Sequence, residues 1–84
     1  MEVIKLRVEY IKLGQALKAA GLVGSGVEAK EVILDGLVKV NGNVELQRGK
    51  KLYGGDIVSF DGEEIKIEEW LLNLLTLRIS EIMK

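Results

Sequence analysis

The first apolar pattern of the chain has a period of two, and the next has the period of a helix. Residues 3–8 alternate apolar with charged side chains, which predicts a short, half-buried strand. Residues 13–20 place apolar side chains at i, i+3, i+4 and i+7, the spacing of one helical face. Gly21 follows directly, and glycine readily adopts the left-handed conformation that ends a helix. The sequence therefore predicts a strand followed by a short helix.

A second helix is predicted from its capping residues. Ser25-Gly-Val-Glu28 fits the capping-box pattern S-x-x-E. In that motif the serine hydroxyl accepts from the Glu28 N–H, while the Glu28 carboxylate accepts from the Ser25 N–H. Apolar residues keep helical spacing up to Asp35, and Gly36 supplies the stop.

Two hairpins are predicted after the helices. Asn41-Gly42 and Asp61-Gly62-Glu63 each separate short runs of alternating apolar residues. Asn, Asp and Gly tolerate the positive φ that tight hairpin turns require. The predicted strand pairs are residues 38–40 with 44–46, and residues 57–60 with 64–67.

The C-terminal residues 68–84 predict a third helix, apolar on more than one face. Such a helix has more apolar surface than one face of a small sheet can cover, which indicates self-association or a protein partner. A competing hypothesis for function follows, in which the chain is a protein-interaction or self-association module. The residues predicted to form a homodimer contact are Trp70, Leu71, Leu74, Leu75 and Ile79.

These elements together predict an α+β fold, with two short helices packed on a small, mostly antiparallel sheet and an extra C-terminal helix. A chain of 84 residues has room for one domain with one modest core. We assign residues 1–67 to that domain and residues 68–84 to a C-terminal helical extension.

The composition argues against catalysis and against export. The chain has no cysteine and no histidine, so disulfides, thiolate metal sites and the commonest general base are absent. Since no nucleophile and base pair can be named, we predict a protein that is not an enzyme and has neither cofactor nor metal. The N-terminus lacks the apolar run of a signal peptide, and no apolar stretch is long enough for a bilayer. We therefore expect a soluble, cytoplasmic protein.

Charge is unevenly distributed along the chain. The net charge is −1, but residues 1–60 carry nine Lys or Arg against seven Asp or Glu, and residues 61–84 carry three against six. Between Leu37 and Leu52, four cations accompany the single anion Glu45. A locally positive field is typical of a surface that binds a polyanion, even in a protein that is acidic overall.

Four motifs in this order along the chain resemble a known family. They are Leu13-Gly-Gln-Ala-Leu-Lys18, Ser25-Gly-Val-Glu-Ala-Lys30, Val38-Lys-Val-Asn-Gly42 and Arg48-Gly-Lys-Lys-Leu-Tyr-Gly-Gly-Asp56. Over about residues 10–67 they resemble the S-four RNA-binding domain, named after a ribosomal small-subunit protein. Within that family, the chain is similar to the small stand-alone YaaA/YbcJ-like bacterial proteins.

The resemblance implies a fold, a ligand and a set of contacts. It implies an αL-type module that binds structured RNA, ribosomal RNA above all, with a role in ribosome assembly or translation. Many members have arginine after the serine that opens the second helix. Gly26 stands there in this chain, which argues against a contact of the transfer-RNA type. The basic positions carried over from the family are Lys12, Lys30, Lys39, Arg48, Lys50 and Lys51.

A-form RNA is recognised mostly through phosphates, 2′-hydroxyls and shape, which suits spaced cations with a few neutral donors and a stacking ring. The predicted RNA-binding residues are therefore Lys12, Gln15, Lys18, Ser25, Lys30, Lys39, Asn41, Arg48, Lys50, Lys51 and Tyr53.

Simpler interpretations stay open for each kind of residue. The cations could be ordinary solvated surface. Asn41 could serve only its turn, and Tyr53 could be a half-buried rim residue. Gly24-Ser-Gly26 could hold a phosphate on backbone N–H groups, or it could be a capping turn in which Glu28 repels anions.

Overall fold

The computed structural model describes residues 2–6 and 9–69. Its elements follow the predicted order of strand, two helices and hairpins, which confirms the α+β class. They are β1 (Glu2–Leu6), β2 (Ile11–Lys12), α1 (Leu13–Ala19), α2 (Gly26–Leu34), β3 (Val38–Val40), β4 (Asn43–Val44), β5 (Lys51–Leu52), β6 (Ile57–Phe60) and β7 (Glu63–Glu69).

The larger sheet has five strands in the order β1-β7-β6-β3-β4. Neighbouring strands are antiparallel except at one edge, where β1 pairs in parallel with β7 and Ile4 lies opposite Ile67. In the middle of the sheet, Val58 lies opposite Ile65 on one side and Val40 on the other. The sheet is thus mixed but mostly antiparallel, as predicted.

A second sheet, of two strands, is separate from the five-stranded sheet. β2 and β5 pair antiparallel, with Ile11 opposite Leu52 and Lys12 opposite Lys51. Two residues are too few to give an apolar period, so the sequence did not predict these strands. The pairing joins the start of α1 to the segment that follows Arg48.

One face of the large sheet and the two helices share the core. β3 is buried at Val38 and Val40 and exposed at Lys39, because successive side chains of a strand point to opposite faces. The side chains with the least exposure come from both helices, from the sheet and from β5, namely Leu13, Leu17, Ile33, Leu52, Ile65, Ile67, Val38 and Val58.

Both predicted turns, the predicted serine cap and both glycine stops are present, with one change in hydrogen bonding. Asn41 and Gly42 have φ values of 52° and 85°, the left-handed conformation expected of the first hairpin. The Ser25 hydroxyl accepts from the Glu28 N–H at 3.1 Å, as predicted. The Glu28 carboxylate, however, accepts from the Gly24 N–H at 2.9 Å rather than from that of Ser25.

Two predicted boundaries are corrected. The helix predicted from Glu68 does not begin there, because β7 continues to Glu69 and stays paired with β1. The rest of that helix lies outside the described residues, as do the last two residues of the strand predicted over 3–8. The second strand of the first hairpin ends at Val44, two residues earlier than predicted.

No helix within residues 2–6 and 9–69 is long and apolar enough to cross a membrane.

Candidate nucleic-acid interface

The N-terminus of α1 is held by the backbone of a segment distant in sequence. The Leu13 N–H donates to the Lys50 carbonyl at 2.8 Å, and the Gly14 N–H donates to the Arg48 carbonyl at 3.1 Å. Gln15 adds a local cap, since its Oε1 accepts from the Lys12 N–H at 3.2 Å. The first backbone N–H groups of a helix have no partner within the helix. In α1, two of these groups bind residues 48 and 50 and so hold that segment against the helix.

This arrangement forms an open groove of about 330 Å³ between the two helices and residues 48–49. We call it the basic groove. It brings together three predicted cations from two segments that are distant in sequence. All of its lining residues belong to the described part of the chain, and none of them carries a carboxylate. The groove is lined by Lys12, Gly14, Gln15, Lys18, Gly26, Arg48 and Gly49.

Gly14 allows Arg48 to approach α1 closely. A Cβ atom at position 14 would lie 2.7 Å from the Arg48 Cγ and 3.3 Å from its Cδ. Any larger residue would therefore displace the Arg48 side chain or the segment that carries it. The first motif includes Gly14, but sequence reasoning assigned it no role, because the residue it contacts is distant in sequence.

Lys30 lies beside the basic groove rather than in it. A neighbouring groove of about 270 Å³ is lined by Lys30 and by Arg48 and Gly49, which it shares with the basic groove. Its other lining residues are apolar: Ile33, Leu34 and Leu46. Lys12, Lys18, Lys30 and Arg48 thus form one continuous basic surface on the helical side of the molecule.

Lys50, Lys51 and Tyr53 line a different groove, of about 370 Å³, which we call the turn groove. Unlike the basic groove, it includes two carboxylates. Its full lining is Val40, Asn41, Asn43, Glu45, Lys50, Lys51, Tyr53 and Asp56.

The three predicted neutral donors, Gln15, Ser25 and Asn41, all form structural hydrogen bonds through their side chains. Ser25 and Gln15 cap helix starts through their side-chain oxygens. The Asn41 side chain donates to Asp56 Oδ1 at 3.0 Å and accepts from the Ile57 N–H at 2.9 Å. These bonds favour the turn interpretation of Asn41, and the RNA contacts of all three residues stay predictions.

Lys39 is not joined to the basic groove, and the phosphate site considered at residues 24–26 reaches it only through Gly26. Lys39 points to the face of the sheet opposite the helices, because both of its neighbours in β3 are buried in the core. At the second helix start, the Gly24 N–H already donates to the Glu28 carboxylate. That contact favours the capping turn over the phosphate site considered there.

No predicted cation forms an ion pair with a carboxylate among the described residues, although Lys50 and Lys51 share the turn groove with Glu45 and Asp56. The single ion pair found in this part of the chain joins Lys66 and Glu68 at 3.8 Å. In addition, Lys12 and Lys51 lie directly opposite each other in the small sheet.

The described residues include no group of three or more Asp or Glu side chains that could hold a metal ion. The residues predicted for self-association, Trp70 to Ile79, lie outside the described part of the chain, and that contact stays a prediction.

Comparisons with known proteins agree with this fold. Residues 4–68 match the family model described as the S4 domain. The chain is 42% identical over 59 residues to the probable ribosome maturation protein RlbA of Bacillus subtilis (strain 168), a match that spans 70% of this chain and 83% of that protein. It is 38% identical over 58 residues to YbcJ of Escherichia coli (strain K12), spanning 69% of this chain and 83% of YbcJ.

A solved structure is similar as well. The solution structure of YbcJ from E. coli, described as revealing an αL motif involved in RNA binding, superimposes with a TM-score of 0.64 at 35% identity. The superposition covers 81% of this chain and 87% of YbcJ.

Proposed function

The chain belongs to the S4 domain family, as its motifs predicted, and from this premise we propose that it is a non-enzymatic protein that binds structured ribosomal RNA. Its role would be in ribosome assembly or translation, and therefore in the cytoplasm. Binding itself is the proposed action: the protein holds an RNA fold or an assembly intermediate.

The basic groove is the observation that carries this proposal. Lys12, Lys18 and Arg48 converge there without a carboxylate among the lining residues, and Lys30 extends the same surface. RNA affinity comes largely from phosphate contacts that release counterions, and such contacts need exposed cations that are not already paired. All four side chains are exposed.

Shape supports structured RNA over an extended single strand. Cations at both ends of α1, in the middle of α2 and on the loop that is hydrogen-bonded to the start of α1 can follow the phosphates of an A-form backbone, whose deep major groove side chains cannot read. Non-specific single-strand binders instead use series of aromatic residues, and aromatic residues make up only 5% of this chain. We therefore propose low sequence selectivity.

The proposal of ribosomal RNA rests on the relatives. RlbA carries the name of a probable ribosome maturation protein, and the αL motif of YbcJ is described as involved in RNA binding. Crosslinking the protein to cellular RNA and sequencing the attached fragments tests this part. We expect ribosomal RNA to be enriched over a matched sample of the Lys12→Glu/Lys18→Glu variant, whereas equal recovery of all abundant RNAs would contradict it.

A salt titration tests RNA binding itself. If about five phosphates are engaged, the plot of log affinity against log salt should have a slope between about −3.5 and −4.5, the values from the single-strand and duplex coefficients. The measurement is a binding titration of a structured RNA at several salt concentrations. Affinity that does not change with salt would refute the proposal.

A further inference from the structure

The turn groove holds an aromatic residue that the basic groove lacks. The chain passes from one groove to the other within a few residues, because Arg48 and Gly49 line the basic groove while Lys50 and Lys51 line the turn groove. An RNA bound along the basic groove could continue past residues 48–51 into the turn groove, which Tyr53 lines.

The ring of Tyr53 is accessible and held from one side. The residue is 42% exposed, and its ring centroid lies 6.2 Å from that of Tyr10 at an interplanar angle of 53°. Its backbone is fixed as well, since the Tyr53 N–H donates to Asp56 Oδ2 at 2.8 Å and its carbonyl accepts from the Asp56 N–H at 3.1 Å. A ring positioned in this way loses little freedom when a ligand stacks on it.

Charge in the turn groove favours a base over a second phosphate in its interior. Glu45 and Asp56 line it, and both oxygens of Asp56 already accept hydrogen bonds, from Asn41 and Tyr53. The cations of the turn groove are Lys50 and Lys51, and the Lys51 Nζ lies 4.8 Å from the centroid of the Tyr10 ring. A nucleotide could therefore place its base on Tyr53 and its phosphate by the lysines.

We infer that the turn groove binds one unpaired nucleotide, whose base stacks on Tyr53, beside a paired region held in the basic groove. This inference rests on the proposed function and deepens it. Bases inside an A-form duplex stay stacked on each other, so the nucleotide must come from a bulge, a loop or a strand end. The preferred RNA would then be a duplex with an unpaired base rather than a continuous helix.

Two synthetic RNAs test the inference: a fully paired duplex, and the same duplex with one bulged nucleotide. We expect the protein to bind the bulged duplex more tightly. Tyr53→Ala should weaken binding to the bulged duplex by roughly tenfold, the order of magnitude found when a stacking aromatic is removed, and leave the paired duplex unchanged. Because tyrosine is neutral, the salt slope should not change, and Tyr53→Phe should retain the preference.

Lys18→Ala is the matched control, since Lys18 lines only the basic groove and should affect both RNAs equally. If Tyr53→Ala unfolds, Tyr53→Leu replaces it, because leucine keeps apolar contact with Tyr10 but offers no ring. Equal binding of both RNAs by the unmodified protein, or an equal loss for both in the Tyr53 variant, would overturn the stacking site alone. Absence of binding to either RNA would overturn the proposed function with it.

Discussion

Residues 48 and 49 line the basic groove, and residues 50 and 51 line the turn groove. The two grooves differ in the charges of their lining residues and in how many of their polar groups are hydrogen-bonded within the fold. In the basic groove, exposed cations face no carboxylate among the lining residues. In the turn groove, two carboxylates accompany the lysines, and Asn41 and Asp56 are hydrogen-bonded to the chain itself. Because a group already paired within the fold must give up that bond to contact RNA, the two grooves should respond differently to substitution.

The same distinction separates the kinds of residue predicted to bind RNA. Gln15, Ser25 and Asn41 are the predicted neutral donors, and each one holds a helix start or a turn in place. The cations have no comparable structural partner among the described carboxylates. Substituting a cation should therefore change RNA affinity, whereas substituting a neutral residue should change stability.

Reversing charge in the basic groove should give the largest effect. Lys12→Glu with Lys18→Glu removes two cations proposed to bind phosphates and introduces repulsion, so we expect affinity for a structured RNA to fall by roughly a hundredfold. The salt slope should become shallower by about 0.7 for each phosphate that the variant no longer engages. Binding titrations at several salt concentrations measure both quantities.

The matched control reverses two lysines on the opposite face of the sheet, Lys5 and Lys39. Both are exposed, and each lies between inward-facing neighbours of its strand. The change in net charge is the same, so any difference between the two variants comes from position. If the control weakened binding as strongly, the interface would not be the basic groove, and the contact predicted for Lys39 would regain support.

The next largest effect should be a loss of stability at Asn41. Asn41→Gly keeps the positive φ but removes the hydrogen bonds to Asp56 and Ile57, and we expect the free energy of unfolding to fall by about 1–2 kcal/mol. Affinity of the folded protein for a fully paired RNA should change little. Chemical denaturation and a binding titration measure the two.

Asp61→Gly provides the control for backbone entropy. Asp61 has nearly the same φ, 51°, in the other hairpin, and its side chain makes no hydrogen bond to another described residue. If Asp61→Gly lowers the free energy of unfolding less than Asn41→Gly does, the difference measures the contribution of the Asn41 hydrogen bonds. If Asn41→Gly instead lost RNA affinity at unchanged stability, the division between the two grooves would fail.

The local parts of this fold could be predicted, and the contacts distant in sequence could not. The helices followed from apolar spacing and a serine cap, and the hairpins from Asn-Gly and Asp-Gly, since each signal acts within a few residues. The parallel pairing of β1 with β7 and the two-residue pairing of β2 with β5 depend on tertiary structure. The pairing with β1 also keeps Glu68 and Glu69 in a strand, where helical spacing had predicted a helix.

The candidate site shows the same limit. Residue type and motif order were enough to select Lys12, Lys18 and Arg48. Their convergence depends on hydrogen bonds between the start of α1 and residues 48–50, which no local pattern encodes. For the same reason, the closeness of Gly14 to Arg48 became visible only in three dimensions.

Gly14→Ala sharpens the comparison by testing how the basic groove positions its arginine. The added Cβ would displace the Arg48 side chain, and we expect RNA affinity to fall several-fold, on the scale of one weakened phosphate contact. In an Arg48→Ala background nothing remains to be displaced. There, Gly14→Ala should leave affinity unchanged and could raise stability by up to about 1 kcal/mol, because alanine favours a helix.

Gly26→Ala is the control for this double-mutant cycle. Gly26 also lines the basic groove, but a Cβ there would meet no atom within 4 Å. We expect its effect on affinity to be small in both backgrounds. Equal losses from Gly14→Ala with and without the arginine would show that Gly14 acts on helix α1 rather than through Arg48.

Ser25→Ala should give the smallest effect, and it tests a neutral residue beside the basic groove. The hydroxyl accepts from the Glu28 N–H, so alanine should reduce the free energy of unfolding by about 0.5–1 kcal/mol, the usual loss for a helix cap. Ser25→Gly should reduce the free energy of unfolding by only a few tenths of a kcal/mol, because glycine adopts the cap conformation without a side-chain hydrogen bond. RNA affinity should be the same for both variants once corrected for the folded fraction. Suppose that alanine and glycine lowered RNA affinity equally, while the free energy of unfolding followed the order expected of a helix cap. Ser25 would then both cap α2 and contact RNA. The rule that cations determine RNA affinity and neutral residues determine stability would no longer hold.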